Sequence, residues 1–176
     1  SKYCIPNEYD KLMAAIGADG TNAYTSFDVT CYQEDIPANQ LENWAKIQSD
    51  RFKYNVIRGF HTELETVYEE KNMSLTKDSR KLLEKMLSAL YKNHPYGTQT
   101  VLGSQEHLKN PSITNIKEYY KKWYVPNNMA ICMSGDFDCD EVMTIIEKYF
   151  GDMQPNENLQ MLEFEPEAEI ISPVEV

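Results

Sequence analysis

The stretch SRKLLEKMLSALY, residues 79–91, carries the clearest structural signal in the chain. Its large apolar side chains recur as pairs every four residues, at 82 and 83, at 86 and 87, and at 90 and 91. This spacing keeps them on one face of an α-helix. Pro95 and Gly97 follow closely and mark the end of the helix. The pattern therefore predicts an amphipathic helix that buries one face against a protein core.

Helical and strand-like segments surround this helix. Further helices are predicted to begin near Glu8, Pro37, Thr62, Asn110 and Asp138. Segments rich in Thr, Tyr and Val predict strands at residues 21–26 and 29–32, and a compact apolar run predicts another at 129–134. Residues 94–110 have no helical or strand period, so they are predicted to form a long loop. The sequence thus predicts an α+β fold, with a mostly antiparallel sheet and helices packed on one face.

The composition fits a globular domain with an acidic surface. Of the 176 residues, 41% are hydrophobic, which is enough for the core of one domain of ordinary size. There are 28 acidic and 17 basic residues, giving a formal net charge of -11. Such a surface repels phosphate backbones and anionic lipid headgroups, so neither nucleic acid nor membrane is expected as a partner. No apolar run approaches the roughly 20 residues that a transmembrane helix needs.

The cysteines and histidines form no local metal motif. None of the four cysteines belongs to a C-x-x-C pair. Cys31 and Cys132 lie in apolar or strand-like runs, where buried free thiols are expected. His61, His94 and His107 are too dispersed to form H-x-x-E-H or H-E-x-x-H. Ordinary structural or solvent-exposed roles are therefore expected for these side chains.

Glu63 and Glu70 form a pattern that suits metal chemistry. They are seven residues apart on the helix predicted for residues 62–72. Seven residues correspond to about two helical turns, so both carboxylates face the same way. Leu64 and Val67 point elsewhere and are expected to bury the helix on its other side. Such a pair suits one metal ligand with one supporting carboxylate, but on spacing alone a solvated acidic face is the commoner explanation.

Five segments occur in an order that resembles one protein family. They are GTNAYTS at residues 20–26, Glu63 with Glu70, HPYG at 94–97, YVPNN at 124–128 and SGDF at 134–137. Together they resemble the pitrilysin/insulinase-type zinc metallopeptidases, over about residues 8–151. Each segment is weak alone, but five in order are specific. The resemblance implies the interior of the first catalytic α+β domain, a half domain like those of pitrilysin and the processing peptidases.

The resemblance assigns roles to particular residues. The family holds zinc with an H-x-x-E-H motif and a distant glutamate, and Glu70 matches that third ligand. Glu63 matches the acidic residue two turns earlier that supports the catalytic site. Asn22, Ala23 and Thr25 match an edge strand that binds substrate, which suits a peptidase because main-chain hydrogen bonds hold any extended sequence. The alternative for this segment is an ordinary core strand with its tyrosine packed inward.

The resemblance also implies parts that this sequence does not contain. The H-x-x-E-H motif is absent and is expected upstream of Ser1. Residues 1–153 are predicted to be a partial peptidase domain, and residues 154–176 an acidic linker with the start of the next domain. The isolated chain is expected to be inactive and to bind zinc weakly, because one carboxylate cannot hold zinc tightly. Its expected partners are a peptide or protein substrate and the remaining half of the same polypeptide.

The predicted function is peptide-bond hydrolysis by metal-activated water in a full-length zinc metalloendopeptidase. The alternative is a non-catalytic relative that serves as a structural or peptide-binding subunit. An H-x-x-E-H motif in the upstream coding sequence would discriminate between the two. A third hypothesis, an unrelated acidic interaction module, is disfavoured by the ordered segments. The protein is expected to be soluble, and its compartment is left open between cytoplasm and periplasm.

Overall fold

Helices dominate the computed structural model, which describes Ile5 and residues 7–175. The α-helices among these residues are α1 (Tyr9–Ala15), α2 (Leu41–Lys53), α3 (Phe60–Leu75), α4 (Asp78–Leu90), α5 (Pro95–Thr98), α6 (Gln105–Lys109), α7 (Ile113–Trp123) and α8 (Cys139–Phe150). Short 3-10 helices cover Ala38–Gln40 and Pro126–Asn128. Two strands, β1 (Thr21–Thr25) and β2 (Thr30–Glu34), form the sheet of the described residues.

The sheet is much smaller than the sequence predicts. β1 and β2 are consecutive strands with a four-residue connection, so they pair as an antiparallel hairpin. Residues 129–134 take no part in this two-stranded sheet. Met129 has an extended backbone, but no strand pairs with this segment in the described part of the chain. The antiparallel pairing is confirmed, but the prediction of a larger sheet as the main element was wrong, because an extended segment becomes a strand only where a neighbour completes its hydrogen bonds.

All six predicted helices are present, although some boundaries differ. Helix α4 matches the amphipathic stretch at residues 79–91. Helix α8 begins after Asp138, whose side chain accepts hydrogen bonds from two backbone N–H groups of the first turn, as expected for an N-cap aspartate. The long loop predicted for residues 94–110 was wrong, because this segment contains α5 and α6. Ser104 caps α6 by accepting a hydrogen bond from the N–H of His107 at 3.2 Å.

The cysteines lie at different depths. Cys31 is a half-buried free thiol on β2, with its Sγ atom 3.9 Å from the carbonyl oxygen of Tyr32. Cys132 and Cys139 are free and exposed. The prediction of a buried thiol at Cys132 was therefore wrong, because its apolar segment lies at the surface. Cys4 is outside the described residues.

The chain folds as two compact units. The first unit contains residues up to Tyr24 together with residues 31–58 and 113–159. The second unit contains residues 25–30, residues 59–112 and the chain from residue 160 onward. Helices α1, α2, α7 and α8 belong to the first unit, and α3 to α6 belong to the second. The boundary expected at residue 153 stays a prediction.

A polar network organises the first unit around Glu34 at the end of β2. The side chain of Glu34 is 9% exposed, and its Oε1 atom accepts hydrogen bonds from the Tyr9 hydroxyl at 2.7 Å and the Gln48 amide at 3.0 Å. Gln48 also donates to the Tyr9 hydroxyl oxygen at 2.7 Å. The Arg51 guanidinium lies 3.9 Å from Glu34 and stacks over the rings of Tyr9 and Tyr32, at 4.4 and 4.5 Å from their centres. These contacts join α1, β2 and α2.

Tyrosines extend this network to α7. The hydroxyl groups of Tyr32 and Tyr124 are 3.1 Å apart, and Tyr120 stacks on Tyr124 with ring centres 4.2 Å apart. The Tyr120 hydroxyl donates to the carbonyl oxygen of Phe52 at 3.2 Å. Burial, and secondarily the nearby Tyr124, raises the pKa of Tyr120 to about 12. These hydrogen bonds let large aromatic side chains fill the interior while their hydroxyl groups keep partners.

In the second unit, the segment after residue 160 packs beside the start of α5. The Glu167 carboxylate accepts hydrogen bonds from the backbone N–H groups of Lys92 at 3.0 Å, Asn93 at 2.7 Å and His94 at 2.7 Å. The ring of Phe164 lies edge-on to the His94 ring, with centres 4.5 Å apart. One carboxylate thus attaches the acidic segment to the backbone that precedes α5.

Within the described residues, no helix has both the length and the apolar character required to cross a bilayer. The longest of them, α3, has 16 residues and carries four glutamates.

Replacing Tyr9 with Phe is expected to lower the free energy of unfolding by about 1.5 kcal/mol, because Glu34 and Gln48 lose a shared, partly buried partner. Chemical denaturation measures this change. Tyr119→Phe is the matched control, since Tyr119 is 62% exposed and its substitution should change stability by less than about 0.5 kcal/mol. Equal losses in the two variants would show that the network contributes nothing specific.

The raised pKa of the Tyr9 hydroxyl predicts that the protein loses stability at alkaline pH. Burial, and secondarily the hydrogen bond to Glu34, raises the pKa of Tyr9 from 10.0 to about 12. The folded state therefore keeps a proton that the unfolded state releases above pH 10, so stability falls as the pH rises from 10 towards 12. The denaturation midpoints of the parent and of Tyr9→Phe should differ below pH 10. The difference should shrink as the pH rises towards 12. A constant difference at every pH would contradict the linkage.

Candidate functional site

The chain turns at Gly59 before α3 begins. Gly59 has φ 64° and ψ 19°, in the left-handed region that glycine adopts without strain. Its carbonyl oxygen accepts a hydrogen bond from the N–H of Glu63 at 3.1 Å, so helical bonding starts directly after the turn. The helix then continues over Phe60–Leu75, with no glycine or proline inside it. It is longer at both ends than the predicted helix at residues 62–72.

Helix α3 turns one stripe of side chains inward and a neighbouring stripe to solvent. Leu64 and Val67 are half-buried and Lys71 is 5% exposed, at the three- and four-residue spacing of one helix face. Glu63 and Glu70 are both exposed. Leu64 and Val67 are half-buried, as predicted, but Val67 is four residues from Glu63, so the buried stripe borders the glutamate stripe and the prediction of an opposite side was wrong. The two glutamate positions are about 10.5 Å apart along the helix axis, which favours one direct metal ligand and one supporting carboxylate.

Lys71 anchors α3 from its buried side. Its Nζ atom lies 3.3 Å from the Thr100 hydroxyl oxygen and 3.6 Å from Oε1 of Glu84 on α4. Glu84 also accepts a hydrogen bond from Arg80 at 3.3 Å, and Thr100 donates to the carbonyl oxygen of Gly103 at 3.0 Å. A buried ammonium group requires such partners. They hold α3 in the rotation that leaves its two glutamates on the exposed side.

The hairpin leaves one edge of β1 without a strand neighbour among the described residues. The N–H of Ser26 donates to the carbonyl oxygen of Val29 at 2.8 Å, which sets the register of the pair. Hydrogen-bonded and non-hydrogen-bonded pairs alternate along an antiparallel ladder, so the N–H groups of Ala23 and Thr25 point away from β2. The Thr25 and Thr30 hydroxyl oxygens are 3.3 Å apart, as fits the closer side chains of a non-hydrogen-bonded pair.

The residues of β1 are all exposed. Tyr24 is 50% exposed, so β1 is not the core strand that was the alternative for this segment. The Asn22 side-chain oxygen accepts a hydrogen bond from the Ala23 N–H at 2.9 Å. The asparagine therefore occupies the main-chain donor that an added extended peptide would use. Because this contact is at the surface, rotation of the Asn22 side chain would release the donor.

The expected site residues lie in both compact units. Asn22 and Ala23 belong to the first unit, whereas Thr25, Glu63 and Glu70 belong to the second. The structure thus places the glutamates together on one helix and the three hairpin residues together on one strand. The roles expected for all five stay predictions.

The donor chemistry of α3 fits zinc as one part of a larger ligand set. A carboxylate oxygen is an ordinary zinc ligand, and no other described residue forms a hydrogen bond or ion pair with the side chain of Glu63 or Glu70. Across Ile5 and residues 7–175, no cluster of three or more His, Cys, Asp or Glu is arranged to hold a metal ion. Zinc sites use three or four protein ligands. Glu70 could therefore serve as one member of a zinc ligand set, and the described residues would not complete that set.

Two features of these segments were not found from the sequence. Lys71 follows Val67 by four residues, so a charged side chain lies on the apolar stripe of α3. A charged residue at such a position indicates a buried ion pair. Its partners Glu84 and Thr100 have no local signal, since they are distant in sequence. The hydrogen bond between Asn22 and Ala23 likewise depends on a rotamer that no pattern predicts.

Comparison with known proteins identifies peptidases as relatives. Residues 112–175 match a family profile described as the Peptidase M16 inactive domain. The uncharacterized zinc protease ML0855 of Mycobacterium leprae is 26% identical over 139 residues, which cover 78% of this chain and 31% of that protein. The probable zinc protease PqqL of Escherichia coli is 22% identical over 159 residues, which cover 84% of this chain and 16% of that protein. The chain thus spans less than a third of the length of these curated relatives.

Solved structures share the fold of this chain. A protease from Helicobacter pylori aligns with a TM-score of 0.84 and 22% identity, over 91% of this chain and 39% of that one. The first half of the periplasmic protease PqqL from Escherichia coli aligns with a TM-score of 0.77 and 18% identity, over 93% of this chain and 36% of that one. At these identities the likeness establishes the fold and nothing finer.

The chain as given is expected to retain no stoichiometric zinc at neutral pH, because one exposed carboxylate without histidine or cysteine partners binds zinc weakly. Incubation with zinc, gel filtration in zinc-free buffer and metal analysis test this. Glu70→Gln is the matched variant and should show the same background zinc content. One retained zinc per parent chain, absent from the variant, would contradict a partial site.

Proposed function

We propose, on the premise that this chain is a relative of the M16 (pitrilysin/insulinase-type) zinc peptidases, that it forms part of a zinc metalloendopeptidase. The observation that carries the proposal is the exposed pair Glu63 and Glu70 on α3, whose orientation Lys71 maintains from the buried side. In the full-length protein, Glu70 is the third zinc ligand. Zinc, when bound, polarises the scissile carbonyl and lowers the pKa of a water molecule.

Glu63 acts in the catalytic site by supporting Glu70. It lies two turns earlier on the same exposed stripe, so its carboxylate adds negative potential on the side of the helix where the cation binds. It also provides an acceptor for hydrogen bonds that orient the neighbouring ligands. The two histidine ligands and the glutamate that acts as general base belong to an H-x-x-E-H motif outside the present sequence.

The substrate is an extended peptide or protein segment that pairs with the outer edge of β1. The N–H groups of Ala23 and Thr25 point to this edge, and the Asn22 side chain moves from the Ala23 N–H to make room for a substrate carbonyl oxygen. Main-chain pairing of this kind accepts many sequences. It also holds the scissile bond in an extended form, which reduces the freedom that the reacting group must lose.

A non-catalytic subunit is the second candidate function. The family profile that matches residues 112–175 is described as an inactive domain, and this match favours a structural or peptide-binding role for that part of the chain. The exposed glutamate pair on α3 favours the enzyme, because a structural subunit has no use for both carboxylates. An upstream H-x-x-E-H motif in the coding sequence would support the enzyme, and its absence would support the subunit.

The remaining half of the same polypeptide is the second expected partner. One similar solved structure is named as the first half of its protein, which supports a polypeptide with two halves.

The acidic net charge of -11 disfavours nucleic acid and anionic membranes as partners. That similar structure is named as a periplasmic protease, so the periplasm is a proposed compartment, with the cytoplasm as the alternative.

In the full-length protein, Glu70→Gln is expected to reduce bound zinc well below one ion per chain and to lower peptidase kcat/KM by more than about 100-fold. Glu63→Gln should retain more zinc and lower kcat/KM by about 10- to 100-fold. Glu69→Gln is the control, because it removes an exposed carboxylate from the same helix. Unchanged zinc content and rate in Glu70→Gln would refute the ligand assignment.

Ala23→Pro is expected to lower kcat/KM for peptide cleavage about fivefold, because it removes one main-chain donor from the outer edge of β1 without removing a β1–β2 hydrogen bond. Ala23→Ser keeps the N–H and should retain activity. Circular dichroism confirms that both variants are folded. If Ala23→Pro is folded and as active as Ala23→Ser, substrate does not pair at this donor.

A further inference from the structure

A shallow cleft in the second unit is lined by aromatic and acidic residues. It has a volume of about 230 Å³, and its lining residues include Tyr91, His94, Tyr96 and Phe164, together with Glu165 and Glu167. We refer to it as the aromatic cleft. It is formed by the segment around α5 and by the residues after position 160, all within the second unit.

The rings of the aromatic cleft support one another. The His94 ring centre lies 4.3 Å from that of Tyr96 and 4.5 Å from that of Phe164, in edge-on arrangements. Tyr91 meets Tyr96 edge-on with centres 5.6 Å apart. Edge-on rings direct the face of one ring towards the rim of the next, which is a favourable geometry for aromatic pairs. Several ring surfaces therefore border the same small volume.

Hydrogen bonds hold the walls of the aromatic cleft in place. The Tyr96 hydroxyl donates to the Asp28 carboxylate at 2.6 Å, and the Tyr96 ring packs 5.0 Å from the Phe27 ring. The Nδ1 atom of His94 accepts a hydrogen bond from the Tyr96 N–H at 3.2 Å. Both side chains are thus oriented by partners in their own unit. A wall that is already ordered loses little freedom when a ligand binds.

Negative charge accompanies these rings. Partial burial opposes ionisation of Glu167, but hydrogen bonds from the backbone N–H groups of Asn93, His94 and Lys92 outweigh it and lower its pKa. Glu165 is exposed beside it, and no other described residue forms a hydrogen bond or ion pair with its side chain. The Asp28 carboxylate lies behind Tyr96. Aromatic rings, whose faces carry partial negative charge, and two acidic residues therefore line the same cleft.

We propose that the aromatic cleft binds the cationic head of a basic side chain, an arginine guanidinium or lysine ammonium, in a polypeptide partner. A cation is attracted to the faces of aromatic rings and to the adjacent carboxylates, and the aliphatic stem of such a side chain suits an apolar wall. Anionic groups are repelled by Glu165 and Glu167. A purely apolar group would leave the exposed Glu165 carboxylate without a partner. The proposal goes beyond the zinc site and does not depend on it.

The test is a titration of the chain with Nα-acetyl-arginine amide, followed by nuclear magnetic resonance of the aromatic side chains and of the backbone amides. Nα-acetyl-norleucine amide, which has a similar stem without a charge, is the uncharged probe. Glu165→Gln removes the charge of an exposed lining residue, and Phe164→Leu removes one ring while keeping apolar bulk. Glu163→Gln is the matched control, because Glu163 is an exposed acid two residues away that does not line the cleft.

The arginine probe is expected to cause saturable shifts at Tyr91, Tyr96 and Phe164, with affinity lowered about fivefold by Glu165→Gln or Phe164→Leu and unchanged by Glu163→Gln. The norleucine probe should bind more weakly than the arginine probe. Three results would each overturn the proposal: no saturable shifts at the cleft, equal binding of both probes, or an equal loss in Glu163→Gln and Glu165→Gln. Amide spectra of the unbound variants establish that each one is folded.

Discussion

The buried carboxylate of Glu34 is the constraint on which the first unit depends. A carboxylate with a 9% exposed side chain is stable in the folded state only where polar partners surround it. Here the Tyr9 hydroxyl and the Gln48 amide donate hydrogen bonds, and the Arg51 guanidinium forms an ion pair at 3.9 Å. These donors come from α1 and α2, so satisfying one charge holds β2 against two helices. Since β1 pairs with β2, the outer edge at Ala23 is positioned by the same network.

Lys71 has the corresponding role in the second unit, with the opposite charge. Its ammonium group is buried on α3 and is stabilised by Glu84 and Thr100, which lie on other segments. Removing either partner leaves a buried cation poorly compensated, so α3 cannot rotate freely about its own axis. The exposed positions of Glu63 and Glu70 follow from that restriction. In both units, therefore, a buried charge sets the direction in which the proposed functional residues point.

Several parts of the fold and of the site follow from local patterns. The four-residue apolar pairs predict α4, an aspartate cap predicts the start of α8, and the seven-residue spacing of Glu63 and Glu70 predicts their shared exposed face. The sheet was predicted wrongly because strand formation depends on a neighbour that no local pattern can supply. Residues 94–110 were predicted wrongly because helices as short as α5 and α6 have no detectable period. The ordered segments resemble the family to which the named zinc-protease relatives belong.

Periodicity was thus sufficient for the helices, because it depends on residues close together in the chain. Motif order indicated the family resemblance, and from that resemblance came the prediction of Glu70 as a metal ligand. Tertiary structure decided which groups are buried and what satisfies them. It pairs Glu34 with Tyr9 and Lys71 with Glu84, and it joins Glu167 to the backbone before α5. It also turns the Ala23 N–H to an open edge and gathers four aromatic rings around one cleft. Such contacts link distant residues, and their stability comes from excluding water around specific partners, which no local pattern encodes.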